Sequence, residues 1–277
     1  MDETRRREVA LAAAEAGAAL ASDRFRTDLS VERKGGKTDV VTAADRDAQA
    51  AVREHIAEAF PGEPLVGEEN DARQTVPEEG HAWIVDPIDG TNNYVREVPV
   101  WTTAVAAVHD GEPVASAVVA PELGERYVAG GNRPPTRNGD PISVADRSDP
   151  ELCTVAPTVW WPQNRREEYA AAVSESVRTF ADARRYGSAQ YDLALVASGS
   201  LDGAFTNVVT NPWDTVAGTH LVREAGGTVT DVHGDRWTHD SRGIVATSGP
   251  IHREVSAVVE TVEAQRAGRS SNQSERG

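Results

Sequence analysis

Residues 83–91 read Trp83-Ile84-Val85-Asp86-Pro87-Ile88-Asp89-Gly90-Thr91, and the fold is decided there. Three apolar residues form a short buried strand that runs into Asp86. Pro87 has no N–H to give a ladder, so the strand is expected to end near Asp86. Two carboxylates three positions apart at a strand mouth can converge on one point. Divalent cations such as Mg²⁺ take oxygen ligands of that kind, completed by water and substrate phosphate. Gly90 allows close backbone approach to a ligand, and Thr91 adds a hydroxyl and an N–H. Asp-Pro and Asp-Gly are also ordinary turn dipeptides, so the stretch alone leaves a plain turn open.

The surrounding chain narrows the choice. It has 277 residues, 39% hydrophobic and 26% charged, enough for a large core. No apolar run approaches the ~18 residues of a membrane span. Met1 to Arg7 is polar with no apolar signal core behind it. Cys153 is the single cysteine, which excludes an internal disulfide and a cysteine metal cage. These features give the expectation of a cytoplasmic protein.

Net charge is -16, from 44 acidic and 28 basic residues, which argues against a nucleic-acid partner. Lys34 and Lys37 are the only lysines. An acid-rich, lysine-poor chain suits high salt, where self-repulsion is screened, although a GC-rich genome also depletes lysine.

Strand and helix patterns alternate along the chain, as in a mixed α/β fold. Helices are expected over Glu3–Arg24, 43–60, 165–180, 188–198, 212–224 and 251–263. Thr42 is placed to cap the second, and Pro212 stands at the favoured first position of the fifth. Strands are expected at 65–66, 83–86, 100–109, 113–120, 125–130, 153–159, 184–186, 202–208, 228–231 and 244–247. Asp110-Gly111 reads as a hairpin turn. Residues 28–37, 71–80 and 130–140 read as loops. A single domain is expected over 1–264, in halves of about 1–150 and 151–264, with a disordered tail at 265–277.

Asp45, Glu68, Asp86, Asp89 and Asp214 share a pattern. Each follows a strand end or opens a helix, where open α/β sheets place their ligands. Singly, each could be a solvated charge or a complement to a helix dipole. The seven histidines, His81, His109 and His220 among them, show no ligand spacing and read as core or surface. No Gly-x-Ser-x-Gly elbow or P-loop is present.

Five blocks carry a resemblance. They are Lys37 to Asp45, Gly67-Glu68-Glu69, Trp83 to Thr91, Gly187-Ser188-Ala189, and Pro212-Trp213-Asp214 through Gly227. In this order they resemble the inositol monophosphatase family of the lithium-sensitive, Mg²⁺-dependent phosphatases. The resemblance implies a layered α-β-α-β-α sandwich and a homodimer. It implies a first Mg²⁺ on Glu68, Asp86 and the Ile88 carbonyl, and a second on Asp86, Asp89 and Asp214. Glu68 is also offered to a weaker third site. Thr91, hydrogen-bonded to Asp45, would orient the attacking water. The N–H groups of Gly90 and Thr91 would hold phosphate, and Gly187, Ser188 and Ala189 would line the alcohol side.

Two positions depart from the family pattern. Asn207, counted back from Asp214, stands where inositol phosphatases usually carry Glu for a substrate hydroxyl. Gln190 replaces a small residue. The expected activity is Mg²⁺-dependent hydrolysis of a small polyol or sugar phosphate, inositol 1-phosphate first. Fructose 1,6-bisphosphate is the alternative, then histidinol phosphate or phosphoadenosine phosphate. A catalytically silent binding module is the non-enzyme alternative, and the intact acid set argues against it.

Overall fold

The structure, a computed structural model, describes residues 3–27, 31–33, 40–69 and 72–274. The chain opens with α1 (Glu3–Arg24), then β1 (Val31–Arg33), β2 (Val40–Thr42) and α2 (Ala43–Ala59). Next come β3 (Leu65–Gly67), β4 (His81–Asp89), α3 (Thr91–Val95), β5 (Thr102–His109) and β6 (Glu112–Ala120). They lead to β7 (Glu125–Gly130), β8 (Arg133–Arg137), β9 (Asp140–Pro141), β10 (Thr154–Pro157), α4 (Arg166–Thr179) and β11 (Asp182–Ala183). The chain ends with α5 (Ala189–Ala197), β12 (Gly203–Val209), α6 (Pro212–Glu224), β13 (Thr228–Thr230), β14 (Arg242–Thr247) and α7 (His252–Ser274).

Two main sheets result. Seven strands, β3 to β9 in sequence order, form the larger, parallel only between β3 and β4. The smaller has the order β11-β10-β12-β14-β13. Alternation along β5 shows how the layers form. Val105 and Ala107 pack with Ala10, Ala14 and Val52 of α1 and α2. Ala104 and Ala106 point the other way, to Leu193 of α5 and Val216 and Leu221 of α6. Beyond α5 and α6 lie Ala204, Ile244 and Ala246 of the smaller sheet, in the same cluster. That sheet's other face, with Val155, Phe205 and Val245, packs on Ala172 of α4 and Val255 and Val259 of α7. The order is therefore helix, sheet, helix, sheet, helix, the layering that the resemblance implied.

Small residues set the outer spacing. Ala10, Ala13, Ala14 and Gly17 are buried on α1, and a Cβ on Gly17 would meet Val52 Cγ2 at 2.6 Å. A larger residue there would push α1 off α2. The turn at Asp110 (φ 52°) and Gly111 (φ 76°) has both residues left-handed, as a two-residue hairpin loop of type I′ requires.

Four expectations change. β4 does not stop at Asp86 but continues through Pro87 to Asp89, with a register shift between the two acids. Pairing with β3 ends at Val85, so the missing Pro87 N–H falls in a bulge where no ladder needs it. Residues 130–140 hold β8 and the start of β9, an edge extension that its Gly and Pro content obscured. The brief strand expected at 184–186 lies at Asp182–Ala183. Helix α7 runs to Ser274 rather than giving way to a disordered tail at 265; Ala264, Gln265, Arg266 and Ala267 are good helix formers with no proline to stop them. Residues 28–30, 34–39 and 275–277, including the start of the Lys37–Asp45 block, lie outside the described residues.

Candidate active site

The acids converge where the larger sheet meets the α5–α6 layer. The end of β3 delivers Glu68, and the bulged end of β4 delivers Asp86, Ile88 and Asp89. The first turn of α6 delivers Asp214. All of them, with Gly90, Thr91, Gly187 and Ala189, line one cavity of about 670 Å³. Asp45 does not line it. It is buried in the first turn of α2, and its charge still acts on Asp86.

Backbone geometry fixes the acids. The Ile88 N–H donates to Asp86 Oδ1 at 3.1 Å, and the Thr91 hydroxyl donates to the Ile88 carbonyl at 2.9 Å. Asp89 sits at the start of α5. It accepts the Ser188 hydroxyl at 2.6 Å and the Gln190 N–H at 2.7 Å on Oδ2, and the Ala189 N–H at 3.2 Å on Oδ1. Asp214 closes a capping box with Asn211, whose N–H donates to Asp214 Oδ2 at 3.0 Å. Gly90 has φ 94°, and a Cβ there would meet the Gly187 and Val100 carbonyls at 3.2 Å, so the turn into α3 needs glycine.

The electrostatics favour a cation. Burial raises the Asp86 pKa well above the usual carboxylate range, and Asp89, Glu68, Asp214 and Asp45 push it further. Burial also raises Asp89, against its hydrogen bonds from α5. Asp214 is pushed up to about 7, by burial first and by the charges of Asp89 and Glu68. Carboxylates crowded in this way are stabilised as anions by a nearby positive ion. The donors are all oxygens, which suits Mg²⁺ better than Zn²⁺. Among the described residues no three acids, imidazoles or thiolates are grouped so that they could hold a metal ion by themselves. Mg²⁺ fits such an open set, since it keeps waters and substrate oxygens among its ligands.

Several expected and unexpected residues divide here. Ser188 does not line the cavity; it holds Asp89 and caps α5. Asn207 does not line it either, and its expected contact with substrate is corrected. Its Oδ1 accepts the Trp161 indole N–H at 2.7 Å, and its amide donates to Glu168 at 2.6 Å and Glu263 at 2.7 Å. The register shift in β12 between Thr206 and Val209 leaves Asn207 buried, while exposed Val209 reaches the cavity. Gln190 bridges two helices, donating to the Trp213 carbonyl at 2.5 Å and accepting the Gly218 N–H at 2.7 Å. Asn93 joins the two sides of the site, its amide donating to the Val100 and Tyr186 carbonyls, each at 2.7 Å. Residues that the sequence reading missed include Arg96, Trp160, Arg185 and Asp192, all on the cavity wall. Asp192 carried one faint signal, an acid in the first turn of a helix.

The model of the inositol monophosphatase family matches residues 2–265. The chain belongs to that family. A fructose-1,6-bisphosphatase/inositol-1-monophosphatase of Thermotoga maritima is 34% identical over 234 residues, 84% of this chain and 87% of its own. A histidinol-phosphatase of Mycobacterium tuberculosis is 35% identical over 258 residues, 89% of this chain and 95% of its own. A solved inositol monophosphatase of Thermotoga maritima superposes with a TM-score of 0.84 at 31% identity, covering 93% of this chain and 98% of that one. As an inositol monophosphatase family member the chain is a phosphatase, a phosphoric monoester hydrolase. Members of the family generally depend on Mg²⁺. Among the described residues no helix is long and apolar enough to cross a membrane.

Proposed function

We propose that this phosphatase hydrolyses the phosphate monoester of a small polyol or sugar, inositol 1-phosphate first, at a site for two Mg²⁺ ions. The observation that carries the reading is the convergence of Glu68, Asp86, Asp89 and Asp214 on one cavity beside the Gly90–Thr91 turn. Glu68, Asp86 and the Ile88 carbonyl would hold one ion; Asp86, Asp89 and Asp214 would hold the other. When bound, Mg²⁺ neutralises phosphate charge, acidifies the attacking water and stabilises the departing alcohol oxygen. The chain's own groups do the positioning. The N–H groups of Gly90 and Thr91 bind phosphate oxygens at the start of α3, and the Thr91 hydroxyl orients the water for in-line attack. Gly187 and Ala189 leave room for the alcohol. A homodimer is the assembly that goes with this reading, and sedimentation velocity reads it directly.

Fructose 1,6-bisphosphate is the second substrate. The name of the Thermotoga maritima relative favours it, as does Arg96, a cation on the cavity wall suited to a second phosphate. A phosphate-release panel tests both readings. It compares inositol 1-phosphate, fructose 1,6-bisphosphate, histidinol phosphate and phosphoadenosine phosphate, each with Mg²⁺ and with EDTA. Highest kcat/KM on inositol 1-phosphate is the expected result; highest kcat/KM on phosphoadenosine phosphate would overturn the polyol assignment.

A further inference from the structure

Two tryptophans stand side by side after β10, and they are used in opposite ways. Trp161 is 4% exposed; its indole N–H donates to Asn207 Oδ1 at 2.7 Å, and its ring centroid lies 5.1 Å from that of Tyr169. Trp160 is 47% exposed and lines the cavity that the acids line. The chain has six tryptophans, and the other five are at most 6% exposed. The backbone that separates the pair is unusual. Val159 has φ 61°, a left-handed conformation that a β-branched residue rarely adopts. Arg185 donates to the Val159 carbonyl at 2.9 Å, and its guanidinium carbon lies 5.4 Å from the Trp160 ring centroid. The buried Trp161 and this cation–π contact fix the exposed indole in place.

A second apolar side chain is turned out at another irregularity. β12 shifts register between Thr206 and Val209, and Val209 is 72% exposed and lines the same cavity. From Val209 the chain turns into α6 and delivers Asp214, so this apolar wall adjoins the acids. Single exposed apolar residues are common on any surface, but here two flank one cavity. Hydrogen-bonding side chains, Asn92, Arg96 and Asn211, line it as well. A sugar or inositol ring has the matching division, with C–H bonds on its faces and hydroxyls around its edge. An acyclic polyol has no such fixed apolar face.

We propose that Trp160, with Val209, is a specificity-determining platform for the leaving alcohol, packing against the C–H face of a ring and selecting cyclic over acyclic polyol phosphates. The inference deepens the phosphatase reading above and rests on it. The indole offers a large, rigid apolar surface at little entropic cost, and covering it with a ring face removes apolar area from water. This contact is the same before and during phosphate transfer, so it lowers KM and leaves kcat unchanged.

The test measures kcat and KM with Mg²⁺ for inositol 1-phosphate and for glycerol 2-phosphate, an acyclic ester. Wild type, Trp160→Ala, Trp160→Phe and Val209→Ala are compared. In Trp160→Ala the ratio of kcat/KM for inositol 1-phosphate over glycerol 2-phosphate should fall about tenfold, through a higher KM for inositol 1-phosphate. Trp160→Phe keeps an aromatic face and should stay within about threefold of wild type, and Val209→Ala should show a smaller fall of about threefold. An unchanged ratio in Trp160→Ala, an equal loss on both esters, or a loss confined to kcat would overturn the platform and leave the phosphatase reading standing. A wild type that releases phosphate from neither ester would overturn both.

Discussion

The Ser188 hydroxyl donates to Asp89 Oδ2 at 2.6 Å across 99 residues of sequence. This bond joins the end of the larger sheet to the start of α5, and the Ala189 and Gln190 N–H groups complete the cradle. Asp89 is therefore held by a helix N-terminus, which stabilises its negative charge. Ser188→Ala removes one of its donors and the side-chain cap of α5 together. Stability should fall by about 1 kcal/mol, a melting shift of roughly 2–4 °C. Activity or apparent Mg²⁺ affinity should fall about tenfold or more, as when a group orienting a metal ligand is lost. Melting curves and Mg²⁺ titrations of kcat check both effects, and an unchanged Mg²⁺ titration would contradict the role.

Asn207→Glu should destabilise the protein rather than retune its substrate. Glutamate would bring a third carboxylate against Glu168 and Glu263, where the Asn207 amide now donates to both. Burying an unpaired charge of this kind costs roughly 3–5 kcal/mol. A large drop in melting temperature is expected. A stable Asn207→Glu protein with shifted preference toward inositol 1-phosphate would restore the substrate contact expected from sequence.

His220 gives stability a pH dependence. It is buried, and Ser116 Oγ lies 2.9 Å from its Nδ1. Burial first, with the charges of Arg223 and Arg7, lowers its pKa from 6.5 to about 4. The unfolded chain therefore binds the proton more readily between these values, and folding loses stability as pH falls from about 6.5 toward 4. The loss is on the order of 3 kcal/mol. Urea unfolding across that range should show a steeper acid loss in wild type than in His220→Asn. Identical slopes would rule out a contribution from His220.

Salt should raise stability. A net charge of -16 repels itself, and at 1 M salt the screening length is about 3 Å. The melting temperature should be higher in molar KCl than in dilute buffer. A flat or falling value would count against salt adaptation.

Much of this architecture is legible in local pattern. The 22-residue α1 falls on its expected bounds, and alternation in β5 already separates the two faces of the larger sheet. The acids could be found because strand ends and helix starts are local features. What could not be read depends on partners distant in sequence. Pro87 continues a strand because β3 has ended beside it. Asn207 turns from the cavity because β12 shifts register and Trp161 takes its oxygen. Asp192 reads as a simple dipole complement until its burial and its bond to Thr158 are seen. Val159 takes a left-handed φ of 61°, which a β-branched residue type gives no reason to expect.

The central claim is that the buried carboxylates, Asp86 foremost, assemble a Mg²⁺ site for phosphate-ester hydrolysis. The most direct measurement is phosphate release from inositol 1-phosphate by wild type and Asp86→Asn over a Mg²⁺ titration, with circular dichroism to confirm folding. Wild type should turn over with Mg²⁺ and stop with EDTA, while folded Asp86→Asn should lose at least about 100-fold in kcat. Substantial Mg²⁺-dependent turnover by folded Asp86→Asn, or wild-type turnover undiminished by EDTA, would contradict the account.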